Sequence, residues 1–335
     1  MRFLKRSFFL RALIALTALY LFVGSLRAEE TQKVTADKER LIKTVQFLSE
    51  ENFPRTTLQE NKKKTIEYLT RTVQDAGLKT TRGEFIIKEI LGDDEVAIEL
   101  QRYTFVNIHA LKKGKTDKRI IIGAHYDAVH VAPGADDNAS GVAALVELAY
   151  FLKKTPELNC DVEIVFYDLE EDGLLGSRYH AKKLKSQNID VVCMICLDMI
   201  GYYSDKENSQ SYPPGLWGEI GGTKGDFLVA FGGPKDTQLV ADAEKVFREA
   251  TTLKILATPT PKALEEMVST FSDHAPFWEE GYPILLFTDT ADFRNGHYHS
   301  ATDTWDTLDY DRLAQVPVGI YHVILAVDAS RNTGQ

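Results

Sequence analysis

Residues 119–127 read RIIIGAHYD, an apolar run that passes through a glycine and an alanine and then delivers a histidine and an aspartate. Two later stretches repeat the layout. Residues 162–171, VEIVFYDLEE, run into a pair of glutamates, and residues 191–199, VVCMICLDM, carry Asp198 at their end. Apolar side chains at nearly every position mark strands covered on both faces. Residues 284–289, ILLFTD, add a fourth such run, and strand-like stretches lie at about 80–90 and 95–111. Helical periodicity occupies about 36–49, 58–76 (ended by Gly77), 140–153, 237–251 and 311–329, while residues 202–226, rich in Gly, Pro, Ser and Tyr, read as a long loop. The alternation predicts an α/β fold with helices on both faces of one sheet. Reactive groups in such sheets gather beyond the carboxyl ends of the strands. His125, Glu170, Glu171 and Asp198 all fall there.

Singly these residues say little, since a His or Asp at a strand end is usually a satisfied structural group. Their combination says more. Imidazole and carboxylate suit zinc where thiolate is absent, and two neighbouring cations need a carboxylate to bridge them. Asp127, two residues beyond His125, shares its face in extended chain and can accept from the second ring nitrogen, or else it caps a turn. Residues 133–141, PGADDNASG, place Asp136 and Asp137 in a small-residue loop before a helix; this is an ordinary helix start or, beside two cations, a source of the bridge. Glu170 and Glu171 point opposite ways, so one can ligate while the other handles a proton. Residues 295–300, NGHYHS, supply a late imidazole, with His297 and His299 equally placed by chemistry.

Composition narrows the class. A chain of 335 residues with 44% hydrophobic content has enough apolar material for one large α/β domain. Residues 1–28 have the layout of a secretory signal peptide: Arg2, Lys5, Arg6 and Arg11, an apolar run over 12–23, then small residues. That run is shorter than the ~20 residues of a bilayer span, so no stable membrane anchor is expected. Export, to the periplasm or outside, follows. Residues 29–335 are then the catalytic domain. Five of the 39 basic residues and no acid precede residue 29, so the rest carries 34 against 49, a formal charge of −15, which disfavours nucleic acid as a partner. Cys193 and Cys196 form a CxxC, but residues three apart in a strand face opposite ways, so both read as core. A bridge from Cys160 to either is unsupported.

Together GAHYD, PGADDNASG, the Glu-Glu pair, LDM, SDHAPF and YHSATDT, in that order over about 120–309, resemble the co-catalytic zinc aminopeptidases of the bacterial leucyl aminopeptidase type. That superfamily also holds glutaminyl cyclases and zinc carboxypeptidases. The resemblance implies a single α/β domain with a mixed, mostly parallel sheet of about eight strands, and two zinc ions. His125 and Asp198 would hold one ion, Glu171 and His299 the other, with Asp137 bridging. It settles the late imidazole on His299. Glu170 matches the general base, Asp127 the residue that orients His125, and the Asp137–Asn138 bond the place of a cis peptide. The implied activity is hydrolysis of the N-terminal residue of a peptide with a free N-terminus, by water activated between the ions. A cyclase is the nearest rival, disfavoured by the retained Asp-Asn pair; a carboxypeptidase or dipeptidase would use the same metals. A metal-free binding module is disfavoured by retention of five ligands and the base. Ser272-Asp273-His274 is assigned to packing. Arg294 is a candidate for a substrate carboxylate or carbonyl, or for a surface salt bridge; Tyr202 and Tyr203 are candidate donors to an oxyanion.

Overall fold

A computed structural model describes residues 34–56, 60–91, 103–213 and 221–330. The expected targeting segment, residues 1–28, and positions 95–102 of one expected strand lie outside them. Residues Ala36–Gln335 form one compact unit. Its centre is a sheet of β1 (Lys79–Phe85), β2 (Phe105–Lys112), β3 (Arg119–His125), β4 (Asp161–Tyr167), β5 (Val191–Leu197), β6 (Phe227–Gly232), β7 (Lys254–Pro259) and β8 (Ile284–Thr288), in the order β1-β2-β4-β3-β5-β8-β6-β7. The four neighbours β4, β3, β5 and β8 run parallel, β2 and β6 join them antiparallel, β1 is antiparallel to β2, and β7 is parallel to β6. The sheet is thus mixed, with parallel pairing only slightly ahead.

Burial explains which strands the sequence advertised. Every residue of β4, β5 and β8 is buried, and all of β3 but Arg119. Helices α1 (Lys38–Gln46), α2 (Glu60–Asp75), α3 (Gly141–Lys154), α5 (Thr237–Ala250) and α6 (Gln315–Ala329) pack on one another and on one face of the sheet. α3 is buried at every position from Gly141 to Ala149 because it lies between sheet and outer helices. The other face is covered by α4 (Leu175–Ser186) and the short helix Ala275–Glu279, over a core of Ile121, Val165, Tyr167, Met194, Cys196 and Phe277. Cys196 belongs to this core with Met194, while Cys193, at odd spacing from it, faces the other way, as expected for two core cysteines.

One expectation is corrected, and three elements go beyond the sequence reading. The strand read over 80–90 ends at Phe85, and Lys88–Leu91 turns into a short helix. α4 was not anticipated, because it is polar along its length and its only large buried side chains are Leu175, His180 and Leu184. β6 and β7 were also missed; β7 is half-exposed and ends in a proline, as an edge strand can. Among the described residues no helix is long and apolar enough to cross a membrane.

The chain leaves β3 for β4 on one side and then crosses to β5 on the other. Right-handed crossovers therefore put α3 and α4 on opposite faces and open a crevice above the carboxyl end of β3.

Candidate active site

His125 is the last residue of β3 and points into that crevice. Turns at the neighbouring strand ends bring the acids beside it. After β4, Leu169 adopts a left-handed turn (φ 59°) and the chain reaches Glu170 and Glu171; after β5, Met199 does the same (φ 50°) immediately beyond Asp198. The Asp137 loop precedes α3, its Asp137–Asn138 bond is cis, and Gly134 enters it left-handed at φ 68°. His299, itself left-handed at φ 52°, comes from the segment after β8. Non-glycine residues in this region cost roughly 1–3 kcal/mol each and persist only where surroundings hold them.

The five expected ligands converge. Asp137 Oδ1 lies 3.2 Å from His125 Nε2 and its Oδ2 lies 3.1 Å from His299 Nε2. Asp198 Oδ1 is 3.6 Å from His125 Nε2, and Glu171 Oε2 is 3.2 Å from His299 Nε2. Glu170 Oε2 stands 3.9 Å from His125 Nε2. Donor atoms of His125, Asp137 and Glu171, and again of His125, Glu170 and Asp198, lie within 4.8 Å of one another. Glu171 Oε1 and Asp198 Oδ1 are buried with no hydrogen-bond partner. Such oxygens cost about 1–3 kcal/mol each unless something satisfies them. Nitrogen and carboxylate donors with orphaned oxygens on both sides of a shared aspartate fit zinc.

Charge supports the same reading. Burial opposes a charged His125, but Glu170, Asp127, Asp137 and Asp198 outweigh it and raise its pKa well above the usual imidazole value. Hydrogen bonds to Asp137 and Glu171 raise His299 to about 10. Burial, then the Asp137 charge, pushes Glu171 up to about 7; burial pushes Glu170 well above the usual range despite the nearby His125. The rim concentrates negative charge that protons or bound metal cations relieve.

Asp127 does two jobs. His125 Nδ1 is 3.2 Å from the Asp127 carbonyl oxygen and 3.6 Å from its Oδ1, so the ring is fixed mainly by the main chain. The Asp127 carboxylate accepts the N–H groups of Glu170 and Glu171, 3.2 Å each, and so positions the glutamate pair.

Sequence reasoning missed the layer beneath. Arg55, fully buried, donates to the carbonyl oxygens of Tyr126 (2.9 Å), Leu48 (3.1 Å), Gly134 (2.5 Å) and Pro133, and reaches that of Asp137 at 3.5 Å. A Cβ on Gly134 would lie 2.5 Å from Arg55 Nη2, so glycine is needed there for space as well as for its backbone angle. The Asp303 carboxylate accepts from the N–H groups of Asp136 and Asp137 at 2.9 and 3.2 Å. Asp136 accepts from Gly201 N (2.9 Å) and Asn295 Nδ2 (2.7 Å). Tyr298 stacks on the His299 imidazole with ring centres 3.8 Å apart; burial and the charges of Asp137, Asp198, Glu171 and Glu170 keep its phenol protonated. Its only sequence signal was its place between two histidines.

Other candidates resolve differently. Among the described residues Arg294 forms no salt bridge: it is buried, donates through Nε to Gln210 Oε1 at 2.7 Å and through Nη1 to Tyr202 O at 3.3 Å, and lies over the Phe227 ring. The Tyr203 hydroxyl, a candidate donor to an oxyanion, instead donates to Ile200 O at 3.0 Å. Asp273 and His274 are wholly buried, with His274 Nε2 2.7 Å from Val268 O, and Ser272 contacts Cys196, in keeping with packing. His297 is not among the converging side chains; its Nδ1 pairs with Thr302 Oγ1 at 2.8 Å.

Residues 107–324 match peptidase family M28. The chain is 34% identical over 290 residues to the uncharacterised protein YfbL of Escherichia coli (strain K12), covering 80% of this chain and 88% of that protein. It is 28% identical to leucine aminopeptidase 1 of Trichoderma harzianum over 73% of this chain, a match that spans 61% of the fungal protein. In fold it resembles BSAP, a zinc aminopeptidase from Bacillus subtilis (TM-score 0.66, 16% identity, 88% of this chain and 95% of that one). It resembles Porphyromonas gingivalis glutaminyl cyclase to a similar degree (TM-score 0.62, 18% identity, 88% and 99%).

Proposed function

Because the chain belongs to peptidase family M28, we propose that it is an exported two-zinc aminopeptidase that removes N-terminal residues from peptides. The observation that carries this reading is the split of one carboxylate between two imidazoles, Asp137 Oδ1 toward His125 and Oδ2 toward His299, with an unpartnered oxygen of Asp198 or Glu171 on each side. His125 and Asp198 would hold one zinc, His299 and Glu171 the other, and Asp137 both. When bound, the ions supply Lewis-acid polarisation of the scissile carbonyl and acidify a water molecule.

The remaining work falls to the chain. Glu170 sits beside the ligands with a carboxyl whose proton affinity is raised by burial, and it takes the proton from the attacking water and returns it to the leaving amine. Tyr298 offers a protonated phenol to the oxygen that gains charge. Asp127 holds Glu170 and Glu171 in place through their main chain. The acids of the rim also attract the ammonium of a free N-terminus, which favours trimming from that end. Likeness to a cyclase fold does not decide between reactions, but the retained Asp137-Asn138 pair favours the two-metal hydrolase. The arrangement of residues 1–28 supports export, and the acidic remainder supports a peptide partner over nucleic acid.

The test is incubation of the purified, zinc-loaded chain with aminoacyl, N-acylated and Gln-initiated peptides. Release of free amino acids from unblocked peptides alone is expected. Cleavage only of blocked peptides would refute the aminopeptidase, and pyroglutamate as sole product would move the chain to the cyclases. N-terminal sequencing of the protein from fractionated cells checks export and the start of the mature domain.

A further inference from the structure

Away from the rim, three metal-ligating side chains meet that none of the roles above uses. Glu163 lies on β4 four residues before Tyr167, about 13 Å upstream at ~3.3 Å per residue. Antiparallel pairing sets His109 of β2 opposite Val165, and opposed residues share a face, so His109 and Glu163 are diagonal neighbours. α4 crosses that face and brings His180. His109 Nδ1 is 2.9 Å from Glu163 Oε1, His180 Nε2 is 3.8 Å from Glu163 Oε2, and one donor atom from each residue lies within 4.8 Å of the others. Around a tetrahedral zinc with bonds of ~2.0–2.1 Å, ligand atoms stand about 3.3 Å apart. Small side-chain rotations bridge the difference.

The surroundings are arranged for this cluster. A Cβ on Gly83 of β1 would lie 2.5 Å from His109 Nε2, so the glycine makes the space in which that ring crosses the adjoining strand. The Tyr167 hydroxyl sits 3.1 Å from His180 Nδ1, which leaves Nε2 facing Glu163, the outer-shell arrangement expected of a histidine ligand. Arg119 Nη1 donates to Glu163 Oε2 at 3.1 Å, while Oε1 faces His109 Nδ1 and is the oxygen that would join that ring on a cation. The side chains of Glu163 and His180 are 8% and 5% exposed and that of His109 13%, so a cation has an approach from the His109 side. Burial keeps His180 unprotonated, with a pKa of about 3, and although burial opposes it, His180, His109 and Arg119 hold Glu163 ionised at about 2. A metal requires these protonation states.

We propose that His109, Glu163 and His180 bind a borderline divalent cation such as Zn2+, as a structural site separate from the rim that ties β2, β4 and α4 together. The same groups closed only by Arg119 into a metal-free ion-pair network are the competing arrangement. Crystals of the wild-type chain soaked in Zn2+ and measured across the zinc absorption edge decide between them. An anomalous peak among the three donors, in addition to density at the rim, is expected; an occupied rim with a blank cluster overturns the proposal. In solution, His109→Ala and His180→Ala should each lower the zinc content of dialysed protein by one equivalent and shrink the zinc-dependent rise in Tm, with hydrolysis at saturating zinc within about twofold. Folded variants with wild-type zinc content would equally overturn it. If either variant fails to fold, the wild-type crystals still give the answer.

Discussion

Two layers of the molecule meet at Asp136 and Asp137, and they differ in how their polar atoms are paired. In the lower layer Asp303 accepts both main-chain N–H groups, Asp136 accepts from Gly201 and Asn295, and Arg55 donates to a ring of carbonyl oxygens. In the upper layer five acids face two imidazoles, and Glu171 Oε1 and Asp198 Oδ1 have no partner. The lower layer is complete as protein. The rim is complete only with added positive charge, so the difference separates what builds the site from what the site is for.

The sharpest way to break this division is to change one rim acid that is assigned no metal. Glu170→Gln removes the proton carrier but keeps shape, and kcat should fall by roughly 10³-fold, within the range general acid–base groups supply. Zinc content measured on the same protein should stay at the wild-type level. Loss of zinc would instead place Glu170 among the ligands, which its 3.9 Å approach to His125 leaves room for.

The lower layer is tested through Arg55. Arg55→Met strips several buried carbonyls of their donor at once, and a loss of about 3 kcal/mol is expected, since each unsatisfied group costs on the order of 1–3 and the effects do not add. Thermal unfolding should show it, with Arg55→Lys recovering part. A Tm unchanged by Arg55→Met would mean the loop is held without it. Arg55 also precedes the segment that matches the family, so the chain between the N-terminal helices contributes directly to the site.

Chelation with a pH series sharpens the contrast further. Burial and neighbouring acids hold Glu171, Asp273 and Asp303 up to about 7. A carboxyl raised on folding costs stability as pH climbs from its unfolded value near 4 to its folded one. His299, raised to about 10 by Asp137 and Glu171, loses its contribution from about 6.5 upward. His180 and His274, lowered by burial to about 3 and about 4, act in the opposite sense only up to about 6.5. Between pH 6.5 and 8 the chelated chain should therefore lose Tm as pH rises. The zinc-loaded chain should not, because ligands must lose protons to bind metal. Parallel curves would deny the rim its electrostatic imbalance.

Legibility in the sequence follows the same two layers. The central strands could be read because burial on both faces makes them uninterrupted apolar runs, and the rim because acids and histidines follow those runs directly. β7 and α4 were obscure because they bury only part of their surface, whereas β6, buried at every position but Phe231, is a short apolar run that closely follows the Gly-rich loop. Arg55 and Asp303 were invisible for another reason: all their partners but Leu48 are main-chain atoms about 70 to 170 residues away, and no side-chain pattern announces such a contact. Cys193 and Cys196 show the reverse case, a pattern that suggests chemistry until strand geometry turns the two sulfurs apart.

The smallest expected effect concerns the one tie that residue chemistry left open. His297 and His299 sit two apart in a short loop, and the resemblance alone chose between them. In the structure His299 Nε2 approaches both Asp137 and Glu171, whereas His297 hydrogen-bonds Thr302 and sets its ring edge-on to Tyr202, with centres 5.7 Å apart. His297→Ala should thus change kcat/KM by less than about twofold and leave zinc content unaltered, the usual outcome for a side chain outside the rim. His299→Ala should cost one zinc and nearly all activity. A larger effect at position 297 on KM alone would assign it to the substrate, while an effect on zinc content would exchange the roles of the two histidines and, with them, the boundary between rim and support on that side of the site.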